Sequence, residues 1–197
     1  TVAHIKTDSI KIPNATDEDI AGIVKFGKEY GYDFEHEITY EKFCLVNDAV
    51  YIAFANGKWE ATGAQFAHPY IYKSLFSGEP IEFDDLCETK QVTQGAMYLD
   101  FEYDKPELTV ESMQFVGRTG RFVPVTEGSG GAKLYRVKDE KTYAVTGTKD
   151  HFWMEADMYK TRQADVEVDM TYFEGLCEKA IASIGKYGPF DEFSDCE

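Results

Sequence analysis

Asn56-Gly57 stands between two β-prone runs, Val50-Tyr51-Ile52-Ala53-Phe54 and Lys58-Trp59-Glu60-Ala61. Both turn residues tolerate the left-handed backbone that a tight two-residue turn demands, so the stretch predicts an antiparallel hairpin. Phe43-Cys44-Leu45-Val46, just upstream, also reads as β. A purely helical fold is excluded by this region alone.

The N-terminal stretch Val2-Ala3-His4-Ile5-Lys6-Thr7-Asp8-Ser9-Ile10-Lys11-Ile12 has the same character. Short alternating runs flank the polar tip Lys6-Thr7-Asp8-Ser9, which predicts a hairpin with its tip lifted into a cleft. Asp and Ser are ordinary turn residues. The tip nevertheless holds one carboxylate that its neighbours can aim. Thr16 then reads as an N-cap with Asp19 as its capping acid, and Ile20, Ile23, Val24 and Gly27 share one face of a helix that ends near Gly31. Residues 34–40 read as a strand with Phe34, His36, Ile38 and Tyr40 on one face. His36, between two glutamates, reads as a partly exposed strand residue and not as a ligand. The first sixty residues therefore predict the order β-β-α-β-β-β.

Downstream, His68-Pro69 opens a helix whose buried face is Tyr70, Ile71, Leu75 and Phe76, closed by Gly78. A second short helix is expected over residues 81–89, with Asp84, Asp85 and Glu88 as its solvated face. Residues 91–114 are looser. They include the acidic loop Asp100-Phe101-Glu102-Tyr103-Asp104-Lys105-Pro106 and read as a boundary. Residues 115–125 predict two strands around a glycine-bearing turn. Gly128-Ser129-Gly130-Gly131 lacks the Gly-Lys-Ser/Thr of a phosphate-binding loop. Residues 132–137 and 142–145 predict a hairpin. The last helix spans about 171–187, with a Thr171/Glu174 capping box and a stripe of Phe173, Leu176, Cys177, Ala180, Ile181 and Ile184. The fold class is α+β.

Charge constrains function. The chain carries 36 acids against 20 bases, a net charge of −16. A free-standing nucleic-acid module is usually basic, because Lys and Arg meeting phosphate supply its affinity. Arg118, Arg121, Lys133, Arg136, Lys138, Lys141 and Lys149 form the one locally basic block, interleaved with Tyr135, Tyr143, Phe152 and Trp153. The four cysteines, Cys44, Cys87, Cys177 and Cys196, are irregularly spaced and read as free thiols in a reducing compartment, not as a zinc site. The first residues do not read as a signal peptide and no apolar run reaches membrane length, so a cytoplasmic location is expected. Thr1, in place of an initiator Met and already inside a β-like segment, leads to the expectation of a missing upstream portion.

Lys6-Thr7-Asp8-Ser9-Ile10 resembles motif C of family B DNA polymerases, usually Tyr-Gly-Asp-Thr-Asp-Ser. The following helix and Phe34-Glu35-His36-Glu37 resemble the rest of that family's palm. Phe43-Cys44-Leu45-Val46-Asn47-Asp48-Ala49-Val50-Tyr51-Ile52-Ala53 resembles the segment bearing its primer-supporting Lys-x-Tyr. Ala61-Thr62-Gly63-Ala64-Gln65-Phe66, residues 69–76, residues 115–148 and the ending Tyr187-Gly188-Pro189-Phe190-Asp191-Glu192-Phe193 are similar to phage-type members. The resemblance implies a palm segment over 1–66 and a thumb-like region over 67–197, with helices about 68–90, a β-rich block about 113–149 and the terminal helix. It implies Asp8 as catalytic, metal-binding carboxylate, with Lys6, Thr7 and Ser9 as its motif neighbours. Tyr51, Arg118, Arg121, Lys133 and Arg136 become primer or duplex contacts. Mg²⁺ in a two-metal site is the implied cofactor, and primer–template DNA, a deoxynucleoside triphosphate and the upstream polymerase portion are the implied partners; no membrane is among them. Departures from the pattern include Lys6, which replaces the usual first Asp of motif C, and Ala49, which replaces the primer-contacting Lys. The motif A Asp, the motif B Lys and the exonuclease carboxylates have no counterpart in the chain, so the implied activity belongs to a larger enzyme and not to this fragment alone. The alternatives are a non-enzymatic module binding nucleic acid or a protein, for which the acidic balance favours protein, and an inactive polymerase remnant.

Overall fold

The structure, a computed structural model, describes residues 2–6, 8–102 and 109–195. Thr1, Thr7, Cys196 and the 103–106 part of the acidic loop lie outside them. The chain is α+β, and every strand pair among the described residues is antiparallel.

Strands β1 (His4–Lys6) and β2 (Ser9–Lys11) form the N-terminal hairpin, and α1 (Asp17–Glu29) follows. Its capping box is the expected one: Thr16 accepts from the Asp19 amide, and the Asp19 carboxylate accepts from the Thr16 N–H. Residues 34–40 carry no strand. Gly27 explains their path, because Phe34 packs so close to it that a Cβ would lie 2.4 Å from the ring. Using Phe34 to cover the helix takes this segment out of any ladder. The sheet β3 (Lys42–Asn47), β4 (Val50–Ala55) and β5 (Lys58–Thr62) comes next, with Asn56 and Gly57 at φ of 53° and 73° in the β4–β5 turn.

Helices α2 (Ala64–Ala67) and α3 (Pro69–Tyr72) lead into a π turn at Lys73–Ser77, and Gly78 ends the run in the left-handed conformation. The expected 81–89 helix is only a 3₁₀ turn, Phe83–Leu86, followed by β6 (Glu88–Gln91). The looser stretch contains β7 (Ala96–Asp100), an interior strand of a four-stranded sheet. β8 (Gln114–Gly117) and β9 (Thr119–Val125) do not pair with each other. β8 joins β7, β10 (Lys133–Lys138) and β11 (Lys141–Ala144), whereas β9 joins β6 and β12 (Phe152–Glu155). Gly117, at φ 114°, allows the bend that carries the chain from one sheet to the other.

The two sheets share a core of Met97, Leu99 and Leu134 against Phe122 and Trp153, and an Ala132–Trp153 bridge joins their edges. The other face of β9 and β12 is covered by α4 (Ala156–Arg162) through Ala156 and Tyr159. Helix α5 (Met170–Ile184) is capped by Asp169, not by the expected Thr171/Glu174 box, since Asp169 reaches the Thr171 amide at 3.0 Å. It ends at Ile184, before the expected 187. Its first turn contributes Tyr172 and Phe173 to the core between the sheets, and its last turns contribute Ala180 and Ile184 to a second cluster with Cys44, Ile52, Phe66 and Ile71. That second cluster spans the expected 66/67 division. A short helix α6 (Phe190–Ser194) closes on Trp59 and Phe76 through Phe193 and Phe190, and the Lys42 ammonium donates to its Phe193 carbonyl at 3.0 Å.

Candidate functional site

The last pair of the hairpin register is Lys6↔Ser9, and Asp8 belongs to the tip beyond it. Asp8 is exposed at that tip, and Lys6 shares a hairpin face with Ser9, whose hydroxyl donates to the Lys6 carbonyl. Thr7 lies outside the described residues.

The hairpin is seated by its polar face. His4 and Lys11 are cross-strand partners and therefore point to the same side. His4 is only 4% exposed; its Nε2 is 3.1 Å from the Asp48 carbonyl, and its ring packs near Tyr51. The Lys11 ammonium lies 5.2 Å from the Tyr51 ring centroid and 5.8 Å from that of Tyr40. Both tyrosine hydroxyls donate to Glu60, at 2.6 Å from Tyr51 and 2.9 Å from Tyr40. Burial, then the Glu60 carboxylate, pushes both phenols above their ordinary range, so they remain protonated donors. Tyr51 is 7% exposed. The opposite, apolar hairpin face is turned outward, with Ile5 67% and Ile10 36% exposed.

Between the hairpin, α1 and residues 34–41 runs a cleft of about 690 Å³. Asp8 stands on its wall, and Ile10, Ile12, Ile20, Ile23 and Val24 give it an apolar lining.

The basic residues of the second half do not gather on one surface. Lys133 and Arg136 are three apart on β10, which places them on opposite faces. Lys133 lies 5.7 Å from the Phe152 ring, and Arg136 lies 5.1 Å from the ring of Tyr143. Arg121 is held by Asp84 at 3.0 Å, while Arg118 is exposed at the corner between the sheets.

The acidic residues expected on a solvated helix face are mostly engaged. Of the three, only Asp84 is exposed. Asp85 is buried against Lys73 at 2.8 Å. Glu88, with its side chain 15% exposed, accepts from His68 Nε2 at 2.9 Å, from the Tyr172 hydroxyl at 2.8 Å and from Lys90 at 3.3 Å. The Tyr70 amide donates to His68 Nδ1, which fixes Nε2 as the nitrogen bearing the proton toward Glu88. Beside this group, His151 Nδ1 lies 3.5 Å from Asp169, and its ring edge meets Tyr172. Among the described residues no group of three or more His, Cys, Asp or Glu could hold a metal ion. Cys44, Cys87 and Cys177 are free thiols, and burial raises each of them.

Burial pushes the Glu88 carboxyl up, but the His68 and Tyr172 hydrogen bonds and the Lys90 charge outweigh it and bring it down from 4.5 to about 2. A carboxylate depressed on folding contributes stability above its unfolded value and loses it as protons bind. Acidification from pH 4.5 to 2 is therefore expected to remove on the order of 3 kcal/mol of unfolding free energy through this group. Glu88→Gln flattens that limb of the stability–pH curve; an identical limb in the variant contradicts the assignment.

No helix among the described residues is long and apolar enough to cross a membrane. The chain matches no protein-family model, no curated protein and no solved structure.

Proposed function

We propose that the chain is the C-terminal part of a phage-type family B DNA-directed DNA polymerase: a portion of the palm with the thumb-like region that follows it. One observation carries this reading. The segment resembling motif C and the segment resembling the primer-supporting Lys-x-Tyr are distant in sequence, yet the base of the first sits directly on Tyr51 of the second. A turn that presents one carboxylate, on a hairpin fixed to that neighbouring sheet, is the arrangement nucleotidyl transfer asks of this half of its site.

Asp8 suits one ligand position of a Mg²⁺ site, since Mg²⁺ takes few carboxylates and completes its shell with water and phosphate. Bound there, the ions would supply charge stabilisation for in-line displacement at the triphosphate. The second carboxylate comes from the upstream polymerase portion. The apolar cleft beside the hairpin, with Ile20, Ile23 and Val24 incompletely covered, supports a seat for that portion. Tyr51 acts from beneath the hairpin, because its hydroxyl is engaged by Glu60.

Duplex binding falls to the block around β8–β11. Replacing Arg118, Arg121 and Arg136 by Ala in the polymerase is expected to weaken primer–template binding. The log–log salt slope should fall by about one for each phosphate that is no longer neutralised. Arg118 contributes most, because Asp84 and Tyr143 compete for the other two. An unchanged slope removes the block from the DNA interface. The reading as a whole is tested by Mg²⁺-dependent, template-directed primer extension by the chain together with its upstream portion. The net charge of −16 favours a second reading, a protein-binding module without catalysis. That reading predicts no extension under any metal condition.

A further inference from the structure

We infer that Lys11 is a positioning residue: its ammonium, seated over the rings of Tyr51 and Tyr40, clamps the base of the hairpin and so fixes where Asp8 stands. The inference rests on the polymerase reading for its catalytic consequence, but the clamp itself is a property of this chain.

A two-stranded hairpin alone is marginal in water. This one leaves Ile5 exposed and Ile10 only partly covered beside the open cleft, so apolar burial on that face anchors it weakly. What anchors it is the polar face, and there the contacts are few. His4 is buried near Tyr51 with one bond to the Asp48 carbonyl, and its Nδ1 has no partner among the described residues. Lys11 is the other anchor, directly across the ladder from His4. Both rings lie within the distance at which a cation is attracted to an aromatic face.

Glu60 strengthens this seat. It accepts a hydrogen bond from each tyrosine, which holds both rings in one orientation and draws their protons outward, leaving the π faces richer in electrons. Lys11 over the two rings and Glu60 at their hydroxyls thus form one connected group. That group reaches the tip through β2, because Ser9 and Ile10 continue the ladder from Lys11 toward Asp8. Loss of the clamp frees the tip to move relative to the β3–β5 sheet, and small misplacements of a catalytic group are costly to rate.

The test uses both the chain and the polymerase containing it. In the chain, Lys11→Met is expected to speed amide exchange over residues 4–11 about tenfold while the global unfolding midpoint stays put, and Lys11→Arg restores protection because a guanidinium keeps the cation–π contact. The Lys11 side-chain methylene next to the ammonium resonates upfield of other lysines through the tyrosine ring currents, and Tyr51→Leu abolishes that shift. In the polymerase, Lys11→Met lowers kcat about tenfold with KM for the incoming nucleotide unchanged, and Lys11→Arg recovers it. Unchanged exchange in Lys11→Met overturns the clamp. Faster exchange with unaltered kcat overturns its role in positioning Asp8. Wild-type polymerase that extends no primer defeats the polymerase reading, and with it the catalytic role of Lys11, while the exchange and ring-current results still decide the clamp.

Discussion

Glu88→Ala is expected to lower the unfolding free energy by about 3–5 kcal/mol, the scale for removing one partner of a buried charged group. The substitution strands three groups at once. His68 loses the acceptor for its Nε2–H, the Tyr172 hydroxyl loses its own, and Lys90 is left beside Trp153 without its carboxylate. Each of these sits on a different element: His68 caps α3, Tyr172 opens α5, and Lys90 lies two residues along β6. Because α5 also contributes Ala180 and Ile184 to the cluster under the β3–β5 sheet, loosening its first turn weakens both cores. Urea unfolding followed by Trp fluorescence measures the loss. Glu88→Gln, which keeps an acceptor but no charge, should cost less than Ala. A loss below about 1 kcal/mol for Ala would mean that the three donors find water instead.

Turn chemistry is the most legible part of the fold. Asn56-Gly57 announces its hairpin because few residues accept the backbone that turn needs, and the tip around Asp8 announces its own by its polar turn residues between alternating runs. The Thr16/Asp19 box is equally plain. Where tertiary packing decides, local pattern misleads. The alternation of Phe34, His36, Ile38 and Tyr40 is that of a strand, but Phe34 is spent covering Gly27 and Tyr40 reaches across to Glu60. The acids from Asp84 to Glu88 have the pattern of an exposed helix face. As a strand, the letters around Glu88 put its side chain and that of Lys90 on one face, and the buried cluster then has a weak signal, alternate charges flanking Thr89. Nothing in residues 91–114 announces β7, whose partners lie across the chain in β10. The candidate site divides in the same way. The hairpin tip is readable, whereas the use of Tyr51 and Lys11 beneath it depends on a contact between segments that no local pattern encodes. The basic block is visible as composition, and its dispersal over two faces of β10 follows from the three-residue spacing of Lys133 and Arg136 along one strand.

If the chain is the polymerase portion proposed above, Asp8→Asn in the complete enzyme is expected to lower the rate of nucleotide incorporation by at least about a thousandfold, or roughly 4 kcal/mol of transition-state stabilisation. The amide keeps the size and the turn geometry of Asp8, which is exposed at the tip. What it removes is the negative charge that, on the polymerase reading, would hold a divalent ion against the reacting phosphate. That charge matters most as the transition state develops, so the loss falls on kcat more than on nucleotide binding. Lys6→Ala should be far milder, a few-fold at most by the same reasoning, since Lys6 points with Ser9 along the hairpin face and donates no ligand. The decisive measurement is rapid-quench, single-nucleotide incorporation on a primer–template with Mg²⁺, comparing wild type, Asp8→Asn and Lys6→Ala in the enzyme assembled with its upstream portion. The account predicts robust incorporation by wild type, near-complete loss in Asp8→Asn and near-normal turnover in Lys6→Ala. Near-normal turnover in Asp8→Asn would contradict it and reduce the tip to a turn.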